Sequence, residues 1–212
     1  MVFRGAYGEN PTADTETMLL FMNNGETNAD VGDLTEQEGL WDWKYAVNPD
    51  YYRYGGNVGI GLQYKFGLDM QRYHQKQIGL IDCALGGAAI SRYQKGGDLY
   101  ERAVKRVQKA KKDGVVIKGI IWHQGETNST GKTTEVAQDY ANILNLLLDN
   151  FKTDIIEPDL PVVVGELGRF LESNATYPDY ETINVQINTC ISKIPNCKVA
   201  SSEGLILSLI HI

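Results

Sequence analysis

Short apolar runs alternate with amphipathic stretches along most of the chain. Residues 17–22 (Thr-Met-Leu-Leu-Phe-Met) make a strand pattern, closed by the turn signal Asn23-Asn24-Gly25. Residues 26–57 are polar, aromatic and turn-rich, and read as one long ordered loop carrying Trp41, Trp43, Tyr45, Tyr51, Tyr52 and Tyr54. Helical spacing returns over 59–74, with Leu62, Phe66 and Met70 on one face. A buried strand is predicted over 77–84, ending in Leu85-Gly86-Gly87-Ala88-Ala89-Ile90. Residues 99–112 form a basic amphipathic helix, closed by Asp113-Gly114, whose Lys/Arg run reads as a solvated face. A strand over 115–122 precedes one long helix over 134–151, with Val136, Tyr140, Ile143, Leu144 and Leu147 inward. A buried strand (160–167), a helix (180–194) and a last strand (197–202) complete the pattern. This alternation predicts one α/β domain with right-handed crossovers and a parallel sheet.

The 212 residues are enough for one such domain with a substantial core. The formal charge of −7 speaks against nucleic acid or an anionic membrane as partner. No apolar run approaches membrane-spanning length, and Met1-Val2-Phe3-Arg4-Gly5 has no signal-peptide core. The three cysteines form neither a disulfide framework nor a metal-ligand spacing. Cys83 reads as a buried thiol, while Cys190 and Cys197 can pair only in an oxidising compartment. Asn128-Ser129-Thr130 and Asn174-Ala175-Thr176 are glycosylation sequons if the protein is secreted by a eukaryote.

The chemistry concentrates where the apolar run ending at Ile121 delivers Trp122-His123-Gln124-Gly125-Glu126 into a turn. Open α/β sheets place their sites at such carboxyl ends of strands. His123 is either a proton carrier or a histidine bonded to a neighbouring backbone group or to Glu126. Gln124 is sharper, because its amide can donate to a developing oxyanion without changing protonation. Gly86-Gly87 lacks the third glycine of a dinucleotide fingerprint, Ile90 standing in its place. Two glycines still let a backbone amide face a ligand oxygen. Residues 125–133 imitate a phosphate loop, but five residues rather than four separate Gly125 from Gly131-Lys132, and Glu126 would repel phosphate. A polar loop with a threonine capping the next helix fits better.

Four segments resemble the SGNH (GDSL-like) hydrolases, and within them the sialate O-acetylesterase and acetylxylan-esterase branch, carbohydrate esterase family six. They are residues 80–87 (Leu-Ile-Asp-Cys-Ala-Leu-Gly-Gly), 121–126 (Ile-Trp-His-Gln-Gly-Glu), 163–168 (Val-Val-Gly-Glu-Leu-Gly) and 200–205 (Ala-Ser-Ser-Glu-Gly-Leu), in the family's order. The resemblance implies a three-layer α/β/α sandwich with a mainly parallel, flavodoxin-like sheet. It implies a serine nucleophile acting on acetylated carbohydrate, with a histidine base, an acidic partner, and no metal or organic cofactor. The oxyanion donors map onto the Gly87 amide and the Gln124 side chain, with His123 and Glu126 supporting the loop. Two other readings stay open: a non-catalytic carbohydrate-binding relative, and a lipid or aryl esterase on the same fold. Family habit suggests export.

The family's Gly-Gln-Ser-Asn-Met block is absent, and Met1-Val2-Phe3-Arg4-Gly5 looks like its continuation. The expectation is a fragment whose first strand, nucleophile and any signal peptide lie upstream, and which alone is poorly soluble or inactive. Ser91, Ser129, Ser201 and Ser202 lack a nucleophile-elbow context. At the other end, His211 stands near the family's base, with Ser208 where its acid belongs. Residues 207–212 (Leu-Ser-Leu-Ile-His-Ile) are also the translation of CTGTCTCTTATACACATC, which resembles a transposase sequencing adapter. The esterase domain is therefore expected over 1–206, with an adapter-derived tail and a missing last helix.

Overall fold

The computed structural model describes residues 2–6, 19–22, 43–45 and 62–205. It has the α/β class that the alternating pattern predicts. Two compact units divide it: Met1–Gly86 with Arg102–Gly119, and Gly87–Glu101 with Ile120–Ile212.

The first unit holds strands β1 (Val2–Ala6), β2 (Leu19–Met22), β3 (Trp43–Tyr45) and β4 (Ile78–Asp82), in the order β3-β2-β4-β1. β2 runs parallel to β4, with Leu20 opposite Gly79. Two pairings depart from the expected parallel sheet. β3 lies antiparallel to β2, and β1 lies antiparallel to β4, with Val2 opposite Asp82 and Phe3 opposite Ile81. β1 has no counterpart in the apolar pattern; it satisfies backbone groups along an edge that β4 would otherwise leave unpaired. β3 interrupts the loop expected over 26–57, and Trp43 Nε1 donates to Asp113 Oδ2 at 3.2 Å. Trp41, Tyr51, Tyr52 and Tyr54 lie outside the described residues, as do Ser208 and His211.

Helix α1 (Leu62–His74) packs on β4, but not by the face its apolar residues mark. Gln63, Gly67 and Gln71, one turn apart, are buried, while Leu62 is 47% exposed. Helix α2 (Asp98–Lys112) corrects a second expectation. Arg102 and Arg106 are buried rather than solvated, because the Arg106 guanidinium donates to the carbonyl of Asp82 at the end of β4.

In the second unit the end of β5 (Val116–Trp122) pairs in parallel with β6 (Val162–Gly165), and β6 with β7 (Cys197–Ala200). β6 is continuously apolar in sequence, yet its burial alternates: Val162 and Val164 are buried and Val163 is 38% exposed. The helix expected over 134–151 is two helices, α3 (Thr134–Gln138) and α4 (Tyr140–Asp154). Asp139, at φ −106° and ψ 11°, ends the first and opens the second, and its carboxylate accepts from Asn142 Nδ2. A short acidic side chain competes locally with helix continuation. The predicted threonine cap is absent, since Thr133 stands at the N-cap of α3 without a capping bond. Helix α5 (Tyr180–Lys193) packs on α4, β6 and β7. Leu144, Leu147, Leu148 and Phe151 of α4 and Ile183 and Ile187 of α5 are buried with Ile120, Trp122, Val162 and Val164.

All three cysteines are free and buried, Cys83 in the first unit and Cys190 and Cys197 in the second. Burial raises each thiol, that of Cys190 to about 12. No described helix is long and apolar enough to cross a membrane.

Candidate active site

Gly87, His123, Gln124 and Glu126 all belong to the second unit, where β5 and β6 end. Gly87 sits at φ +72° in an exposed turn, with no atom within 4 Å of a notional Cβ. Its N–H has no hydrogen-bond partner among the described residues.

Gln124 is the most constrained of the four. Its Nε2 donates to the Ala88 carbonyl at 3.0 Å and to Asn128 Oδ1 at 2.8 Å, so both amide hydrogens are engaged. The Tyr140 hydroxyl lies 2.7 Å from Gln124 Oε1 and 2.6 Å from the Gln124 carbonyl, sharing its one hydrogen between them, and accepts from Trp122 Nε1 at 3.0 Å. Burial holds the Tyr140 phenol protonated, well above its usual value. Trp122 also meets Tyr93 edge-on, with ring centroids 5.4 Å apart.

His123 and Glu126 do less. His123 Nδ1 stands 3.9 Å from Glu126 Oε1, too far for a hydrogen bond, and both side chains are partly exposed. The imidazole covers Gly165, where an added Cβ would lie 2.7 Å from His123 Cδ2. Glu126 contributes its backbone, whose carbonyl accepts from Ser129 N at 3.0 Å and Ser129 Oγ at 2.8 Å. Between them Gly125, at φ +154°, packs where a Cβ would approach Ile183 Cγ2 to 2.8 Å. Gly125→Ala is expected to cost about 2 kcal/mol in a urea melt, through backbone strain and that contact.

At the carboxyl end of β6 the buried Glu166 gathers donors from three directions. Oε1 accepts from Asn188 Nδ2 at 2.6 Å; Oε2 accepts from Ser202 N at 2.9 Å, Ser201 Oγ at 3.0 Å and Arg169 Nη2 at 3.3 Å. Burial pushes its pKa up, but the Asn188 amide, the Ser202 N–H, the Ser201 hydroxyl and Arg169 outweigh it and hold the carboxyl at about 2. Ser202 Oγ donates to the Leu167 carbonyl at 2.8 Å, and Ser129 is fully buried. Among the described residues no serine hydroxyl is hydrogen-bonded to a histidine. None of their His, Cys, Asp and Glu side chains group in threes to hold a metal ion.

The profile of the family described as "Carbohydrate esterase, sialic acid-specific acetylesterase" matches residues 20–211. The chain belongs to this family. A probable carbohydrate esterase of Arabidopsis thaliana is 40% identical over 86 residues, which are 41% of this chain and 32% of that protein. The matched stretch is thus about a third of the relative's length. The crystal structure from the same Arabidopsis locus superposes on 92% of this chain and 73% of its own, with a TM-score of 0.74 at 24% identity. A carbohydrate acetylesterase from Xanthomonas citri covers 87% of this chain and 42% of its own, with a TM-score of 0.61 at 17% identity. These two likenesses show the fold.

The motif reading of residues 122–126 misses Asn128 and Tyr140, whose hydrogen bonds engage both ends of the Gln124 amide. Asn128 reads as a glycosylation sequon in sequence, but it is 2% exposed and its Oδ1 accepts from Ile90 N at 3.0 Å, so the native packing has no room for a glycan there. The available signal was Tyr140 on the inward face of a helix that follows the motif. The phosphate-loop imitation also dissolves, because Thr127–Ser129 forms a 3-10 turn with Asn128 and Ser129 buried.

Proposed function

We propose that this chain carries the oxyanion wall of a serine-type carbohydrate O-acetylesterase. The observation that supports it most is the pairing of an unpartnered, exposed Gly87 N–H with a side-chain amide, Gln124, anchored beside the next residue, Ala88. An acetyl ester attacked by an alkoxide develops negative charge on its carbonyl oxygen. Fixed N–H donors stabilise that charge because they need no reorientation as it forms. Gly87 offers its hydrogen directly. Gln124 already rests one hydrogen on the Ala88 carbonyl, its longer bond, and oxyanion binding exchanges that acceptor for the substrate oxygen. His123 and Glu126 shape the loop. The nucleophile, its base and the acidic partner are assigned outside the described residues, since no described serine hydroxyl is hydrogen-bonded to a histidine. The substrate class is acetylated sugar of the xylan or sialic acid type.

Acetate release from acetylated xylan and from O-acetylated sialic acid by the full-length protein tests this reading. Release of acetate, with rates falling as the acyl chain lengthens, is the expected result. Rates that rise with acyl length would make it a lipid esterase, and sugar binding without turnover would make it a non-catalytic relative.

A further inference from the structure

Asn128 holds the middle of a 3-10 turn that is fixed on both sides. The Glu126 carbonyl accepts from Ser129 N and Ser129 Oγ, Thr130 Oγ1 donates to the Thr127 carbonyl at 3.0 Å, and Asp179 N donates to the Ser129 carbonyl at 3.0 Å. The side chain is buried, and its orientation is dictated. Ile90 N–H is a donor, so only the oxygen of the Asn128 amide can face it, at 3.0 Å. That same oxygen then demands a donor from Gln124, which sets Nε2 toward it at 2.8 Å. The Ala88 carbonyl, which can only accept, demands the same end of the Gln124 amide at 3.0 Å, and the opposite end faces the Tyr140 hydroxyl, which accepts from Trp122 Nε1 and shares its hydrogen between Gln124 Oε1 and the Gln124 carbonyl. Each amide in the chain Ile90–Asn128–Gln124–Tyr140–Trp122 has one way round. A neutral amide oxygen supplies the two acceptor sites without placing a charge in the interior.

We infer that Asn128 is a positioning residue for ester hydrolysis: its Oδ1 ties the Gly87-to-Ile90 turn to Gln124 and fixes which end of the Gln124 amide faces the substrate. The catalytic part of this statement rests on the proposed role of Gln124. Without the Oδ1 acceptor, Gln124 Nε2 keeps only the Ala88 carbonyl that the substrate oxygen is proposed to replace, and the turn bearing the Gly87 N–H loses its tie at Ile90. Misplacement of an active-site donor by about 1 Å can cost on the order of a hundredfold in rate.

The test compares Asn128→Ala, which removes the acceptor, with Asn128→Asp, which keeps both acceptor bonds and removes the Nδ2 hydrogens. In acetyl-ester hydrolysis by the full-length protein, N128A is expected to lower kcat about ten- to a hundredfold with KM within about threefold. N128D is expected to recover kcat to within about fivefold of the native value. In the 15N-labelled protein, the Gln124 side-chain amide protons of N128D should shift with pH as the introduced carboxyl ionises. A kcat for N128A within threefold of native overturns the inference. So does an N128D as impaired as N128A, because the Nδ2 hydrogens would then carry the role. Where N128A does not fold, the titration decides: Gln124 amide protons that ignore the new carboxyl overturn the coupling. Absence of turnover in the native protein sinks the esterase reading instead, and leaves the titration to judge the positioning.

Discussion

Gln124→Leu is expected to lower kcat/KM for acetyl esters by about 10²–10³-fold, the size of effect that follows loss of one oxyanion donor. The leucine fills similar space but presents no N–H. It also leaves the Asn128 Oδ1 and the Ala88 carbonyl each short of a donor, while the Tyr140 hydroxyl keeps the main-chain carbonyl of residue 124. Some loss of stability must therefore accompany the loss of rate, of about 1–3 kcal/mol for a buried group left unsatisfied. Gln124→Glu separates the two effects. The carboxylate still accepts from Tyr140, but it brings no donor to the substrate and sets an oxygen against the Ala88 carbonyl and Asn128 Oδ1. Both variants should lose activity, and a melt recorded beside the kinetics shows how much of the loss is unfolding. A kcat/KM within tenfold of native in either variant removes Gln124 from the oxyanion wall.

Glu166→Leu is expected to destabilise the chain by about 2–3 kcal/mol, because the hydrogen bonds to a buried carboxylate are lost and the buried Ser202 N–H is left unsatisfied. The carboxylate joins the end of β6 to the turn after β7 and to Asn188 of α5. Without it the buried Ser202 N–H loses its acceptor, while the exposed Asn188 amide keeps the Asn184 carbonyl. Its ionisation gives a second, independent measurement. The folded carboxyl titrates at about 2 against an ordinary value of 4.5. As pH falls, the unfolded chain takes up this proton first, so stability is fully present above about pH 5 and is lost progressively between 4.5 and 2. The shift corresponds to about 3 kcal/mol. Urea midpoints taken from pH 6 down to pH 2.5 should show that decline in the native protein and a flatter one in Glu166→Gln. Parallel declines in the two proteins would place the acid sensitivity elsewhere.

Much of the architecture is legible where one strand or helix carries its own signal. β4, β5 and β6 are apolar runs ended by polar residues or glycine, and α2 and α5 begin or end within a residue of their expected limits. What stays hidden is set by pairing. Nothing within Val2–Ala6 announces a strand, because its ladder with β4 joins residues far apart in sequence. The periodicity of residues 134–151 runs straight through Asp139, so the break into α3 and α4 leaves no mark on the apolar pattern. Arg102 and Arg106 look like a solvent face by charge, and only the Asp82 carbonyl explains the burial of Arg106. The candidate site divides in the same way. Gln124 and Gly87 can be singled out from a strand end and a glycine pair. Asn128 and Tyr140 cannot, because a tyrosine sixteen residues away and an asparagine inside a sequon acquire their roles through one shared amide.

The division of the cysteines gives the molecule two internal clocks. Cys83 reports from one compact unit, and Cys190 and Cys197 report from the other. Each thiol is shielded and held protonated, so a disulfide reagent reacts only when its surroundings open. Labelling in native buffer, resolved by peptide mass, times the opening of each unit without any engineered probe. Equal rates mean that the two units open together, and unequal rates identify the unit that yields first.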